Sequence, residues 1–400
     1  MSARYSTTKY GFGPGSLAIA VLLLSLALAP TPSHAAVQPC TEAGLDAAVL
    51  AGGSNTFSCV GATTITITTS KAISAANLVL DGGGLLTISG GNALRIFTVN
   101  GGASVTFRNL AINDGFLSGG GGAGILNFGT ATIVGTTFSG NTIASTGGGG
   151  GAAVMNVGAM TVDKSSFLNN SVSTTSPATS NADGAAINNN GTSLTVSNST
   201  FSGNSAGRGG AIVASSGLSI YNSTIVGNSA NVTCGAGAIF AVGTTTLANT
   251  IVANNTSGGA CRPNCNGSVN AGPDSISDNA DCGATITQKT FAQIGLGALT
   301  GDPAYFPLNP GSAAIDSGSN AICAAAPVNN TSQNGIARPV DGNADSIATC
   351  DVGSFEKAAV VAAVAVSAPM LSMWAVLLLA VVLGSAAGES IRRAQQSKST

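Results

Sequence analysis

The sequence is poor in charged, aromatic and histidine residues. Only 8% of its 400 residues are charged and only 4% are aromatic. A coiled coil or helical bundle needs abundant Glu, Lys and Leu, so this composition argues against both. The 16 acidic residues outnumber the 14 basic ones, and no basic cluster lies outside the last few residues. Nucleic acid is therefore not an expected partner.

The chain has a single histidine, His34, which lies in a segment typical of a removable leader. The exported protein would then contain none, so Ser-His-Asp hydrolysis, Cys-His proteolysis and His-ligated metal chemistry would be unavailable. Glycine is abundant, at 55 residues, and 44% of the chain is hydrophobic. Together with many Ser, Thr and Asn residues, this composition argues against disorder and favours an elongated β-rich solenoid.

Residues 1–36 have the features of a secretory signal peptide. A basic start precedes the uncharged apolar run 17–29, prolines end that run, and small residues follow it. We expect signal peptidase to cleave after Ala35 or Ala36. A retained membrane anchor is the alternative, which the short run disfavours because a bilayer's hydrocarbon core is about 30 Å thick.

Internal repetition is the strongest signal in the sequence. Short alternating segments that end in asparagine recur at intervals of roughly 30 residues, each accompanied by an Ala-Ile-like pair and an opening glycine. One such unit cannot bury its own apolar face, whereas units stacked in register can. Residues 60–300 are therefore predicted to be all-β, forming a right-handed parallel β-helix of roughly 8–10 coils at about 4.8 Å each.

The repeat also predicts two columns within the β-helix. An interior column is expected to stack the apolar residues Phe138, Phe167, Phe201, Ile225 and Ile251. A ladder at one turn is expected to contain Asn141, Asn170, Asn204, Asn228 and Asn254. Asparagine suits such a turn because it tolerates left-handed backbone and its amide can bond to the next coil.

The two ends of the repeat array need covers. Residues 37–59 are predicted to form an N-terminal cap, with a short helix that begins after Thr41 and ends before Gly52. Residues 301–357 lack the repeat and contain many turn residues, so they are predicted to form a C-terminal cap.

Four segments carry a resemblance to known families. Leu-Val-Leu-Asp-Gly-Gly-Gly at 78–84, with the repeats that follow, resembles bacterial surface β-helix proteins of the polymorphic outer-membrane-protein type. The segments 309–318, 338–342 and 350–356 resemble the end of a choice-of-anchor Q domain. The resemblance covers roughly residues 40–390 and implies a pectate-lyase-like β-helix fold and an export route. It supplies no activity.

The tail, residues 358–400, contains the uncharged run 371–387. It resembles the IPTL-CTERM bacterial sorting tail, usually Ile-Pro-Thr-Leu-Ser-x-Trp, an apolar run and a basic pair. The matching residues here are Pro369, Leu371, Ser372, Trp374, Arg392 and Arg393, while Ala368 and Met370 depart from the pattern. By its length the run 371–387 is predicted to be a marginal transmembrane helix, and its basic end is expected to stay inside. The resemblance implies processing by an exosortase-type enzyme and a place at the bacterial cell surface or outer envelope. A plain C-terminal anchor is the alternative.

All eight cysteines lie in the part of the chain expected to be exported. An even number in an oxidising compartment predicts disulfides. Pairing neighbours in sequence gives Cys40–Cys59, Cys234–Cys261, Cys265–Cys282 and Cys323–Cys350. Zinc is the alternative at Cys261 and Cys265, although no second close pair accompanies them.

Oxygen ligands recur at alternate positions in Asp341, Asn343 and Asp345, as they do in Ca²⁺ loops. The segment lacks the Gly and the Glu of an EF-hand, so a turn with satisfied carboxylates is the competing interpretation. No other cofactor is expected.

Two functions fit these features. The first is an exported surface protein with an adhesive or structural role, no catalysis, and glycans or proteins as partners. The second is a polysaccharide lyase or glycoside hydrolase, because enzymes also use this fold. Hydrolases need facing carboxylates, whereas Asp114, Asp163 and Asp183 are far apart in sequence. Asp274, Asp278 and Asp281 do cluster, in an irregular loop that contains cysteines.

Overall fold

The computed structural model describes residues 35–145, 149–174, 182–259 and 261–359, with the isolated positions 377, 378, 381, 383 and 388. The chain divides into two units, Met1–Val360 and Val361–Thr400. The first is an all-β parallel solenoid of about 8 turns, as the repeat predicts. In the second, the isolated positions are helical. Within the described part of the chain, no helix has the length and apolarity needed to cross a bilayer.

One 24-stranded sheet forms the wall of the solenoid, and three faces can be distinguished in it. The first face contains Ala36–Gln38, Gly53–Phe57, Thr130–Val134, Ala159–Asp163, Ser193–Ser197 and Leu218–Tyr221. The second contains Thr63–Thr66, Thr137–Ser139, Ser166–Leu168, Thr200–Ser202, Thr224–Val226, Ile251–Ala253, Ile276–Ser277 and Thr287–Gln288. The third contains Lys71–Ile73, Phe97–Val99, Ile125–Asn127, Val154–Asn156, Ile187–Asn189 and Ile212–Ala214.

Four long strands turn a corner and belong to two faces each. Leu78–Ser89 and Ser104–Asn113 join the first face to the second, whereas Ile239–Ala248 and Cys265–Ala271 join the third to the first.

Three smaller sheets complete the strands of the described residues. A six-stranded sheet contains Phe116–Leu117, Thr142–Ser145, Ser171–Thr174, Ser205–Ala206, Ser229–Thr233 and Thr256–Gly258. A three-stranded sheet contains Gly120–Gly121, Gly149–Gly150 and Ala182–Asp183. The antiparallel pair Thr300–Gly301 and Ala304–Tyr305 follows the solenoid.

The predicted interior column is present, with one error. The fully buried rings of Phe138, Phe167 and Phe201 stack in parallel, with centroids 4.8 and 4.7 Å apart. Ile225 lies above Phe201, but the next member is Val252, because Ile251 pairs with Thr224. The prediction of Ile251 at this place was wrong by one residue.

The same one-residue shift changes the asparagine ladder, whose last member among the repeats is Asn255 rather than Asn254. Each ladder amide donates through Nδ2 to the Oδ1 of the next, at 2.8–3.0 Å, along Asn141, Asn170, Asn204, Asn228 and Asn255. The left-handed backbone lies one position earlier, at Gly140, Asn169, Gly203, Gly227 and Asn254. Glycine or asparagine is needed there because other side chains strain this conformation.

A second, unpredicted ladder lies at another corner. Asn127 donates to Asn156 and Asn156 to Asn189, both at 2.7 Å, and Asn189 donates to the Ser216 hydroxyl at 3.0 Å. All three amides are fully buried. Buried amides in these columns are thus satisfied by the neighbouring coils, which fixes the register of the stack.

The N-terminal helix is present as predicted. Helix α1 spans Glu42–Ala51, and the Thr41 hydroxyl accepts the Gly44 amide at 3.2 Å as its N-cap. Its first two turns are tied to the first coil by Lys71, whose Nζ lies 2.6 Å from Glu42 and 2.7 Å from Asp46. The hydrogen bond from Lys71, with further bonds from Thr68, lowers the pKa of Glu42 to about 2.

Residues 299–357, here called the flank segment, lie along the second face of the solenoid. The side-chain oxygen of Asp302 accepts a hydrogen bond from the Thr137 hydroxyl, and that of Gln333 accepts one from the Thr200 hydroxyl. The Ser354 hydroxyl donates a hydrogen bond to the Thr224 hydroxyl. These threonines belong to successive parts of the stack, so the segment named as a C-terminal cap extends along the side over several coils. Helix α2, Phe291–Ile294, precedes the segment, and helix α3, Asn320–Ala324, lies within it.

A buried arginine holds the flank segment together. The Arg338 guanidinium is fully buried and pairs with Glu356 at 2.9 Å. Its remaining N–H groups donate to the backbone carbonyls of Thr331, Asp351, Gly353 and Phe355. Burial raises the pKa of Glu356, an effect that the Arg338 charge opposes. Arg338 therefore ties the segment 338–342 to the segment 350–356.

The structure contains four disulfides, and they join the neighbouring cysteines named from the sequence. Cys40–Cys59 ties the chain two residues before α1 to the first coil. Cys323–Cys350 closes the flank segment, and Asn222 and Asn249 each donate to the Cys323 sulfur at 3.2 Å. The zinc alternative at Cys261 and Cys265 was wrong, since these cysteines form disulfides with Cys234 and Cys282.

Candidate functional site

A column of hydroxyl residues runs along the outside of the first face. Consecutive coils place them directly above one another, in the order Thr106, Thr132, Thr161, Thr195, Ser219 and Thr246. A parallel column beside it contains Ser104, Thr130, Ala159 and Ser193. We call these two columns the threonine face.

The threonine face is uncharged and regular. Its side chains are exposed or half-buried, and successive coils are about 4.8 Å apart. Threonine is β-branched and has few rotamers, so hydroxyl and methyl groups are held at fixed intervals. Thr161 Oγ1 lies 3.4 Å from Thr132 Oγ1. A sheet face of this kind offers many equal, weak contacts rather than one enclosed pocket.

A second candidate lies at the corner between the first and second faces. Asp81, Asn109 and Asp302 line a cavity of about 420 Å³ with several glycines. Arg108 pairs with Asp81 at 2.8 Å, Asn109 donates to Asp81 at 3.1 Å, and so does the Gly83 amide. Burial raises the pKa of Asp81, but these hydrogen bonds and the arginine outweigh it, so its pKa lies below the ordinary value.

Sequence reasoning missed this corner. Asp81 lies in the Leu-Val-Leu-Asp-Gly-Gly-Gly segment, and its register partner Arg108 is one coil away. Asp302 reaches the corner only because the flank segment lies along the solenoid. The period of the repeat could have paired Asp81 with Arg108, whereas nothing in the sequence places Asp302 beside them.

The acidic residues of the repeats have separate partners. Asp114 accepts from Ser89, Asp163 accepts from Ser197 and Asn198, and Asp183 forms a bidentate pair with Arg208. No contact joins these three carboxylates among the described residues, as their separation in sequence suggests.

The acidic cluster of the irregular loop is held by amides. Asp278 accepts from the Asn254 backbone at 2.7 Å and from the Asn264 side chain at 2.6 Å. Burial raises the pKa of Asp281, and nearby Asp278 adds to this. Asp274 lines a different shallow cavity, together with Gly272.

The segment considered for calcium forms a turn closed by backbone amides. Asp341 accepts from Ala344, Asp345 and Ser346, at 2.7, 3.2 and 2.8 Å. Asp345 accepts from Ile347 at 2.8 Å, and the Asn343 side-chain oxygen accepts the Asp345 amide at 2.8 Å. In the described part of the chain, no group of three or more His, Cys, Asp or Glu side chains is arranged to hold a metal. These bonds agree with a turn of satisfied carboxylates, and calcium binding at this turn stays untested.

The sorting-signal residues Pro369, Leu371, Ser372, Trp374, Arg392 and Arg393 lie outside the described residues, as do residues 1–34 of the signal peptide. Comparison with protein-family models, with curated proteins and with solved structures finds no match for this chain. The candidate sites are therefore judged by their geometry alone.

Proposed function

We propose that the chain is an exported bacterial cell-surface protein that attaches to surfaces through the threonine face and catalyses no reaction. The observation that carries the proposal is the long, uncharged column from Thr106 to Thr246, repeated coil after coil. A flat hydroxyl surface binds weakly at each contact. Many copies on a cell would raise the overall strength through avidity. Surface glycans or proteins are the expected partners.

Export agrees with the covalent structure. Disulfides persist in oxidising compartments, and four are present. Signal peptidase is the expected processing partner at the N-terminus. Cleavage after Ala35 rather than Ala36 would leave the strand Ala36–Gln38 intact. At the C-terminal end, an exosortase-type enzyme would recognise the tail, and the segment 371–387 would pass through the inner membrane. The β-helix itself would be right-handed, as in the families that the sequence resembles.

The test replaces three central threonines of the face, Thr132, Thr161 and Thr195, with lysine in the full chain. A matched control places three lysines off the face, at the exposed positions Thr64, Asn231 and Thr256. Each protein is coupled to beads at equal density and applied to glycan- and protein-coated surfaces. Attachment should fall at least about tenfold for the face variant only, since charge on each central rung disrupts the repeated contacts. Equal attachment of the wild type, the face variant and the control variant would refute the proposal.

The second candidate function is a polysaccharide lyase or glycoside hydrolase. The corner cavity favours it, because Asp81 and Asp302 line it together and Arg108 pairs with Asp81. Hydrolysis of glycosides uses two carboxylates, and one of them must accept or donate a proton. Asp81 is bound by Arg108, Asn109 and Gly83, which stabilises its ionised form and suits it poorly as a proton donor. The non-catalytic function is therefore preferred.

A further inference from the structure

The second face has a hydroxyl column of its own, and the flank segment covers it. Register pairing places Thr137, Ser166, Thr200 and Thr224 above one another on successive coils. Thr137 is half-buried, and the other three are buried. This column has the same composition as the threonine face, so it shows which groups such a surface can bind.

Two hydroxyls of the covered column donate to side chains of the flank segment. Thr137 Oγ1 lies 3.0 Å from the Asp302 carboxylate, and Thr200 Oγ1 lies 2.7 Å from the side-chain oxygen of Gln333. A hydroxyl has one hydrogen to donate and two lone pairs, so it can match either a donor or an acceptor. A polypeptide offers both, in its backbone and in its amide side chains.

The other two hydroxyls of the covered column accept from the backbone. Ser166 Oγ accepts the Ala304 amide at 3.2 Å, and Thr224 Oγ1 accepts the Ser354 amide at 3.0 Å. The backbone approaches this closely because of a glycine, since a Cβ added at Gly353 would lie 2.8 Å from Thr224 Oγ1. The column therefore binds backbone amides of loops that contain small residues.

The threonine face presents the same groups to solvent. Its main column has a hydroxyl on each coil from Thr106 to Thr246, and these side chains are exposed or half-buried. Neither of its two columns contains a charged or an aromatic residue. An anionic polymer would therefore meet no opposite charge there, and a sugar ring would meet no aromatic side chain to cover its apolar side.

The threonine face is also narrow. Its six coils at about 4.8 Å each make it roughly 25–30 Å long, and its two columns lie about 7 Å apart. Such a strip is well below the roughly 800 Å² per partner that is usual for a stable interface between folded proteins. A loop of a partner fits the strip better than the whole side of a second copy.

We propose that the threonine face binds uncharged loop segments of a partner protein, rich in glycine, serine and amide side chains, as the second face binds the flank segment. Each hydroxyl would exchange a hydrogen bond with a backbone amide or an amide side chain of the partner. This inference rests on the proposed attachment through the threonine face, and it names protein rather than glycan as the partner.

The test compares two immobilised peptides with two neutral glycans. A peptide of repeated Gly-Gln-Ser copies the groups that contact the second face, whereas a polyproline peptide of equal length lacks the backbone N–H groups and the amide side chains. Dextran and cellulose are the glycans. Beads that carry many copies of the full chain should attach to the Gly-Gln-Ser peptide at least about tenfold more strongly than to the other three surfaces.

The outcomes separate this inference from the proposed function. Equal or stronger attachment to dextran or cellulose would overturn the inference and leave attachment through the threonine face standing. Attachment to none of the four surfaces would also overturn it, and the proposed function would then be judged by its own test with coated surfaces.

A valine variant identifies the groups that bind. Replacing Thr132, Thr161 and Thr195 with valine keeps the shape and the β-branch of each side chain and removes the hydroxyls. Attachment to the Gly-Gln-Ser peptide should fall at least about tenfold without a lower melting temperature, because each copy loses three hydrogen-bonding groups. The control Thr233→Val with Thr256→Val, at exposed positions of the six-stranded sheet, should leave attachment unchanged. Undiminished attachment of the valine variant would show that the hydroxyls are not recognised and would overturn the inference.

Discussion

Replacing Arg338 by methionine should release the flank segment from the solenoid. The guanidinium is fully buried and uses all five of its N–H groups, on Glu356 and four backbone carbonyls. Removing one partner of a buried ion pair typically costs about 3–5 kcal/mol, because the other group is left buried without compensation and must stay charged or take up a proton. Here the carbonyl oxygens would also lose their donors.

Hydrogen exchange of the backbone amides reports this local opening directly, which matters because a long repeat array need not unfold in one step. A loss of about 3–5 kcal/mol corresponds to exchange that is roughly two to four orders of magnitude faster. The effect should be confined to amides of residues 299–357 and to the threonines they cover. The repeats near Phe138 should change little.

Two further variants test the reasoning. Arg108→Met is the matched control, because it removes an exposed ion pair, that of Arg108 with Asp81, whose arginine is 45% exposed. It should lower the free energy of unfolding by at most about 1 kcal/mol. The double variant Arg338→Met with Glu356→Met should exchange more slowly than Arg338→Met alone, because no buried charge is left unpaired. If Arg338→Met and Arg108→Met behave alike, or if the double variant is the less stable, the buried charge is not what holds the segment.

Three other outcomes are expected. Asn204→Ala, in the middle of the ladder, should lower the free energy of unfolding in urea by about 2–4 kcal/mol. The control Asn231→Ala, at an exposed asparagine, should change it by less than about 0.5 kcal/mol. Equal effects of the two variants would contradict the stabilising role of the ladder. The pKa of Glu42 falls from 4.5 to about 2 on folding, so its pair with Lys71 stabilises the folded state above pH 4.5. This stabilisation is on the order of 1–2 kcal/mol after allowance for solvent screening, and it is lost as the pH falls from 4.5 to about 2. Melting curves between pH 7 and 2 should show this loss in the wild type and a smaller one in Glu42→Gln. Addition of Ca²⁺ or a chelator should leave the melting temperature unchanged, since backbone amides already satisfy the turn at 341–345; a clear rise with Ca²⁺ would establish a site there.

The sequence predicts the solenoid well because its determinants recur. The stacked phenylalanines and the ladder amides each repeat at one coil, so similarity between copies reports contact between coils. The error at Ile251 has a local cause. Ile251-Val-Ala-Asn254 matches Ile225-Val-Gly-Asn228 by letters, but the left-handed corner before each ladder residue needs Gly or Asn, and Asn254 fills it. Pairing the earlier Asn249 with Asn222 would have given the correct register.

The flank segment shows where the sequence ceases to be informative. Its contacts join residues far apart in the chain, such as Thr224 with Ser354, and no repeat in the sequence relates the two residues of such a pair. The corner cavity with Asp81 and Asp302 depends on that placement. Arg338 and Glu356 lie in segments that carry the resemblance to a choice-of-anchor Q domain, but their ion pair requires two turns to be folded together, and no periodicity indicates this.

The most direct test of the central claim, a surface-binding protein rather than an enzyme, is product release from polysaccharides. The full chain is incubated with pectins, alginates and other polyuronides, with and without Ca²⁺, and unsaturated and reducing ends are followed over time. We expect no time-dependent release above a heat-inactivated control. Steady release that is abolished by Asp81→Asn or Asp302→Asn, or by Asp274→Ala or Asp278→Ala, would contradict it and establish the lyase or hydrolase instead.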